Sequence, residues 1–281
     1  MRIIIKKYIK PILQAIGAYV FAYRFYSFLL FMKIKIINRF YKIFYKTAPI
    51  LLYHRIFAPS ADPVMLCVTP ACFESHLEFL KKYYNVLPLS ELSGRLATGT
   101  LEGDEAAITF DDGYRDNLVN ALPLLEKYDI PATIFITTGQ LGKKASFVWD
   151  MKYVASDRAT FLSDEDIRIL SNHRLIEIGA HTDTHRRLSD LDAAEQRADI
   201  SESKTILENI TGKKITAFAY PFGNVHDFDE SSKKIAKELG FNFSYSNTQI
   251  LAKETKDRFC IPRINVRECT ASELSKKLKN K

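Results

Sequence analysis

Two clusters in this chain of 281 residues have the residue types and spacing for metal-assisted hydrolysis. The first is Asp111-Asp112, which closes an apolar run at residues 106–110 and precedes Gly113 in AAITFDDGY. Adjacent ionised carboxylates repel and are costly to desolvate, so a half-buried pair needs a cation or hydrogen-bond donors beside it. The second cluster is His181 and His185 in LIEIGAHTDTH, where another apolar run, 175–180, leads into two imidazoles four residues apart. If the segment after that run coils into a helical turn, both rings face one side. One aspartate with two histidines then suits Zn²⁺ with a position left open for water, and the other aspartate is free to act as a base.

Both clusters sit where an apolar run ends, and the rest of the chain follows the same plan. PILLYHRI from Pro49 reads as a buried strand ending on Tyr53, His54 and Arg55. Thr69-Pro70 opens a helix with the apolar stripe Phe73, Leu77, Leu80 and Tyr84, closed at Asn85. A helix over about 115–128 leads to a strand at 131–137, and Ser163 with Asp166 forms a capping box for a helix near 164–172. After the histidine strand come a helix over about 192–210 closed by Gly212, a strand at 215–220, a helix at 230–239, and the strands FNFSYS and CIPRINV. Alternating strands and helices argue for a parallel sheet. About seven strands with functional residues at their C-terminal tips argue for a barrel, where such tips converge. Residues 143–156 read as an inserted loop.

TFDDGY, HTDTH and AYPFG resemble the first three motifs of the polysaccharide deacetylase family, carbohydrate esterase family four, over residues 50–266. The resemblance implies an irregular (β/α)7 barrel and removal of N-acetyl groups from an amino sugar in a surface polysaccharide or lipid-linked glycan. By position it implies a divalent metal ion, Zn²⁺ first, on Asp112, His181 and His185, with Asp111 as the base. It also implies a backbone N–H of Phe222 as a donor to the developing oxyanion. Two departures stand out. The arginine of the third motif is replaced by Ala219, for which Arg263 in IPRINV is the substitute expected from its strand-tip position. No Leu-x-His motif follows His226, so His54 is expected as general acid, with His226 second; His76 and His173 are expected to be solvated. The YHR start resembles the branch acting on poly-N-acetylglucosamine. Loss of two motif residues also leaves room for a catalytically inactive metal- and carbohydrate-binding protein, or a membrane-tethered glycan assembly protein.

Charge divides the chain at about residue 48. Residues 1–50 hold ten Lys/Arg and no acid, so of the forty bases thirty remain against thirty-three acids. The first segment, 1–48, reads as a hydrophobic-basic helical arm and the second, 49–281, as the catalytic domain. Gln14 and Arg24 interrupt the apolar stretch 11–32, and a mid-helix arginine costs roughly 2.5 kcal/mol or more on insertion, so an in-plane helix on anionic lipid fits better than a span. The expected partner of residues 1–46 is thus a membrane surface, inner membrane or envelope, and not nucleic acid, since long aliphatic runs track phosphates poorly. A cleavable leader is not expected, because aromatic-basic character continues past residue 40 without a small-x-small site. Cys67, Cys72, Cys260 and Cys269 form no CxxC pair and leave the redox compartment open.

Overall fold

The computed structural model describes residues 46–143 and 147–279; of the helical arm expected over 1–48, residues 1–45 lie outside the described residues, while Thr47–Ala48 form a short strand antiparallel to Ala252–Lys253 and not the end of a helix. The central sheet is built from β1 (Ile50–Tyr53), β2 (Glu105–Phe110), β3 (Ala132–Ile136), β4 (Ile176–Ala180), β5 (Ala217–Ala219), β6 (Phe243–Ser246), β7 (Ile261–Pro262) and β8 (Ile264–Asn265). Its order is β7-β6-β5-β4-β3-β2-β1-β8, and every pairing along it is parallel. The two outer strands are consecutive pieces of one segment, parted only by Arg263. That segment pairs with β6 on one side and β1 on the other, closing the sheet into a barrel of seven sides with a break at Arg263.

Helices α1 (Pro70–Tyr83), α2 (Leu89–Thr98), α3 (Leu122–Tyr128), α4 (Asp164–Asn172), α5 (Ala193–Thr211), α6 (Glu230–Glu238) and α7 (Ala271–Lys279) accompany the strands. Alternation along the strands produces two cores. Ile50, Ala107, Phe135, Ala219, Tyr245 and Ile261 fill the barrel, and Leu89, Leu92 and Leu96 of α2 join them. Leu51, Tyr53, Ile108, Phe110 and Ile134 belong instead to the larger core shared with Phe73, Leu77 and Leu80 of α1. Chain ends of the helices follow sequence chemistry: Thr69 caps α1, Ser163 and Asp166 form a capping box on α4, and Gly212 ends α5 at φ 66°.

Three expectations need correction. The helix expected over 115–128 begins as a π-helical turn, Asn117–Ala121, and becomes α-helical only at Leu122. Pro123 has no N–H for the regular ladder, which accounts for the irregular start. Tyr84 and not Asn85 ends α1, since its N–H bonds to Leu80 O while Asn85 pairs with β2. His76 is fully buried rather than solvated: its ring nitrogens meet Tyr53 Oη at 3.1 Å and the Cys269 carbonyl at 2.7 Å. All four cysteines are free thiols. Among the described residues no helix is long and apolar enough to cross a membrane.

Candidate active site

At the C-terminal end of β2, the Asp111 N–H still pairs with the Tyr53 carbonyl of β1 at 3.0 Å. The chain then leaves the sheet through two left-handed residues, Asp112 at φ 75° and Gly113 at φ 79°. Aspartate tolerates that region better than most residues, and glycine suits the next position, where a side chain would be strained at this φ and its Cβ would crowd Ile136 Cγ2 at 3.1 Å. The turn presents both carboxylates inward, each no more than 3 % exposed.

Beyond β4 the His181–His185 segment is not the helical turn expected. Thr182 and His185 adopt φ 59° and 57°, and the Thr182 hydroxyl accepts the His185 N–H at 3.0 Å. Asp199, from the buried face of α5, fixes this loop by accepting the N–H groups of Asp183 and Thr184 at 3.0 and 2.8 Å and the Thr184 hydroxyl at 2.7 Å. Sequence reasoning missed Asp199. Its signal was an acidic residue on the same helical stripe as Ile200, Ser203 and Leu207.

The loops bring Asp112, His181 and His185 together, with one donor atom from each lying within 4.8 Å of the others. Asp112 Oδ1 is buried without a hydrogen bond, although His185 Nε2 and His181 Nε2 lie 3.2 and 3.6 Å away. His181 donates through Nδ1 to the Ala219 carbonyl at 2.8 Å, which leaves its Nε2 as a lone pair facing the carboxylate. Burial holds the His181 imidazole neutral, lowering its pKa to about 4 against the pull of Asp111 and Asp112. Burial alone would raise Asp112, but the contact with His185 prevails and holds it at about 2. An anionic oxygen that accepts no hydrogen bond, facing two imidazole nitrogens, is a donor set that fits a divalent cation of the zinc class.

Asp111 is held differently. Arg263, wholly buried between β7 and β8, donates from Nη1 to Oδ1 at 2.7 Å and from Nη2 to Oδ2 at 2.8 Å. The guanidinium is itself fixed by Thr109 Oγ1 at 3.2 Å and the Ser246 carbonyl at 3.3 Å, and lies 5.2 Å over the Phe135 ring. Desolvation pushes the Asp111 carboxyl upward, but Arg263 and then His181 outweigh it, and the net shift is below the usual carboxylate value.

A cavity of about 230 Å³ joins these groups, lined by Asp111, Asp112, His181 and His185 together with His54, Trp149 and Phe222. The His54 carbonyl accepts a hydrogen bond from Asn117 Nδ2 at 2.8 Å, which anchors the tip of β1. Phe222, at φ 61° and 40 % exposed, packs its ring 4.9 Å from that of His185. His226 is exposed and does not line the cavity; its carbonyl accepts the Ser189 hydroxyl. His173 is half-buried against Glu126. Trp149, in the inserted loop, was not singled out from sequence.

Known proteins share this chain's sequence and fold. A poly-beta-1,6-N-acetyl-D-glucosamine N-deacetylase of Staphylococcus aureus is 26 % identical over 259 residues, covering 84 % of this chain and 85 % of its own. The deacetylase PplD of Streptococcus pyogenes, solved with acetate, shares the fold with a TM-score of 0.69 at 23 % identity, over 83 % of this chain and 98 % of its own. IcaB from Ammonifex degensii does so with a TM-score of 0.69 at 22 % identity, over 83 % and 97 %. The polysaccharide deacetylase family profile matches residues 98–244, more than half of the chain and inclusive of both clusters, so this protein belongs to the polysaccharide deacetylase family.

Proposed function

We propose that this enzyme removes N-acetyl groups from an N-acetylglucosamine polymer, in a reaction that depends on a divalent metal ion, most simply Zn²⁺. The observation that carries the reading is the division of labour between adjacent carboxylates: Asp112 faces two imidazoles, while Asp111 is gripped by Arg263. A cation held by Asp112, His181 and His185 would supply Lewis acidity to the amide carbonyl and to an attacking water. Asp111, kept ionised, takes the proton of that water as it attacks. His54 then protonates the departing amine, and the Phe222 N–H donates to the oxyanion. The polymer class is supported by the Staphylococcus aureus relative, whose name specifies poly-beta-1,6-N-acetyl-D-glucosamine.

The basic, acid-free composition of residues 1–46 supports association with an anionic membrane surface and access to a nascent or lipid-linked glycan. Acetate release from β-1,6- and β-1,4-linked N-acetylglucosamine oligomers tests the substrate class; release from the first in preference to the second is expected. Equal activity of protein lacking residues 1–46 on membrane-bound glycan would remove the membrane part of the proposal.

A further inference from the structure

Tyr114 and Asp150 are buried polar residues that the reaction does not use. Tyr114, two residues past Asp112, is wholly buried, and so is Asp150. Burying a hydroxyl and a carboxyl is costly unless each is bonded, and here they are bonded to each other and to the cavity wall. Tyr114 Oη donates to Asp150 Oδ1 at 3.2 Å and accepts the indole N–H of Trp149 at 3.0 Å. Asp150 Oδ2 in turn accepts the Phe147 N–H at 3.3 Å. One hydroxyl, as donor and acceptor at once, therefore fixes the direction of the indole.

The indole so fixed faces the chemistry. Trp149 lines the cavity with Asp111 and Asp112, stands edge-on to His185 at 5.3 Å and to Phe222 at 6.2 Å, and stacks on Phe147 at 4.4 Å. An aromatic body with its polar end tied back is a rigid apolar wall, and a wall fixed before binding costs little ordering when a ligand arrives.

We propose that Tyr114 and Asp150 are positioning residues for Trp149, which they hold as a fixed wall orienting the sugar ring that bears the scissile N-acetyl group. This rests on the deacetylase reading. Trp149 is the single tryptophan of the chain, so emission excited selectively in the indole band reports on it alone.

The test combines two measurements on the full chain. In steady-state acetate release from an N-acetylglucosamine oligomer, Tyr114→Phe and Trp149→Phe, which break the same hydrogen bond from opposite ends, should each raise KM about tenfold at nearly constant kcat, the scale of one buried hydrogen bond. The double variant should be no worse than either single one. Additive effects, a loss confined to kcat, or no change would overturn the proposal. Should Tyr114→Phe not fold, the half-buried Trp149→Phe must show the KM effect alone. Separately, the same oligomer should shift Trp149 emission in Asp111→Asn protein, with a midpoint about tenfold higher when Tyr114→Phe is added. This binding measurement decides the proposal even if wild-type protein releases no acetate, an outcome that would count against the deacetylase reading only. An emission that ignores the oligomer would sink the wall itself.

Discussion

Arg263 meets Asp111 through two parallel hydrogen bonds, 2.7 and 2.8 Å, from the point where the barrel closes. In sequence these residues are 152 apart; in space the guanidinium is the bridge between the last strand and the tip of β2. Arg263→Lys keeps the charge but cannot reproduce the fork, and kcat should fall by roughly 10–100-fold, the value of one charge-assisted hydrogen bond. Arg263→Leu leaves a buried carboxylate without its partner and should cost about 3–5 kcal/mol of stability, read by denaturant unfolding. Unchanged stability in the leucine variant would contradict the role given to this pair.

Asp199 touches none of the reacting groups, yet it holds the loop that carries His185. Asp199→Ala should lower Zn²⁺ affinity by about 10–100-fold, measured by competition with a chelator, while the melting transition remains cooperative. Affinity equal to wild type would mean that the loop needs no such support.

His54 and His76 should separate cleanly. His54→Gln is expected to reduce kcat by about 10²–10⁴-fold with metal content unchanged, as for loss of a general acid. His76→Leu leaves Tyr53 Oη without its partner and takes from the Cys269 carbonyl one of two donors, the Cys72 thiol being the other, so it should cost roughly 1–3 kcal/mol of stability and leave kcat near wild type. The reverse pattern would exchange their assignments.

Asp150 provides a pH dependence of defined sign. Burial raises its carboxyl from 3.8 to about 6 in the folded protein, so the native state binds this proton more tightly than the unfolded chain does. The stabilisation is present below about pH 4 and is lost as pH rises to about 6, by at most about 3 kcal/mol. Asp150→Asn cannot titrate. The stability of wild type relative to that variant should therefore fall between pH 4 and 6, and a difference that stays flat across this window would refute the burial argument.

Much of this architecture was legible because each strand ends where its chemistry begins: apolar runs stop at Asp111-Asp112, at His181 and at Pro221, and caps such as Ser163 and Gly212 mark the helices between them. Arg263 was legible for the same reason, as a charge read at the tip of the last strand. Less visible were features that depend on contacts distant in sequence. His76 looks like a surface residue until Cys269 and Tyr53 close over it, and Asp199 looks like an ordinary helix carboxylate until the His185 loop folds onto it. The left-handed turn at Thr182 and His185 escaped notice because neither residue is glycine; the Thr182 hydroxyl and Asp199 together hold what local preference resists.

In the proposed mechanism Asp111 is the base beside a cation that Asp112, His181 and His185 would hold. The most direct measurement of this is acetate release by chelated and Zn²⁺-reloaded protein, wild type beside Asp111→Asn, with bound metal quantified in both. One metal per chain is expected in each, with activity restored on reloading wild type and a loss of at least about 10²-fold in Asp111→Asn. Full activity in chelated protein, or in Asp111→Asn, would contradict this mechanism.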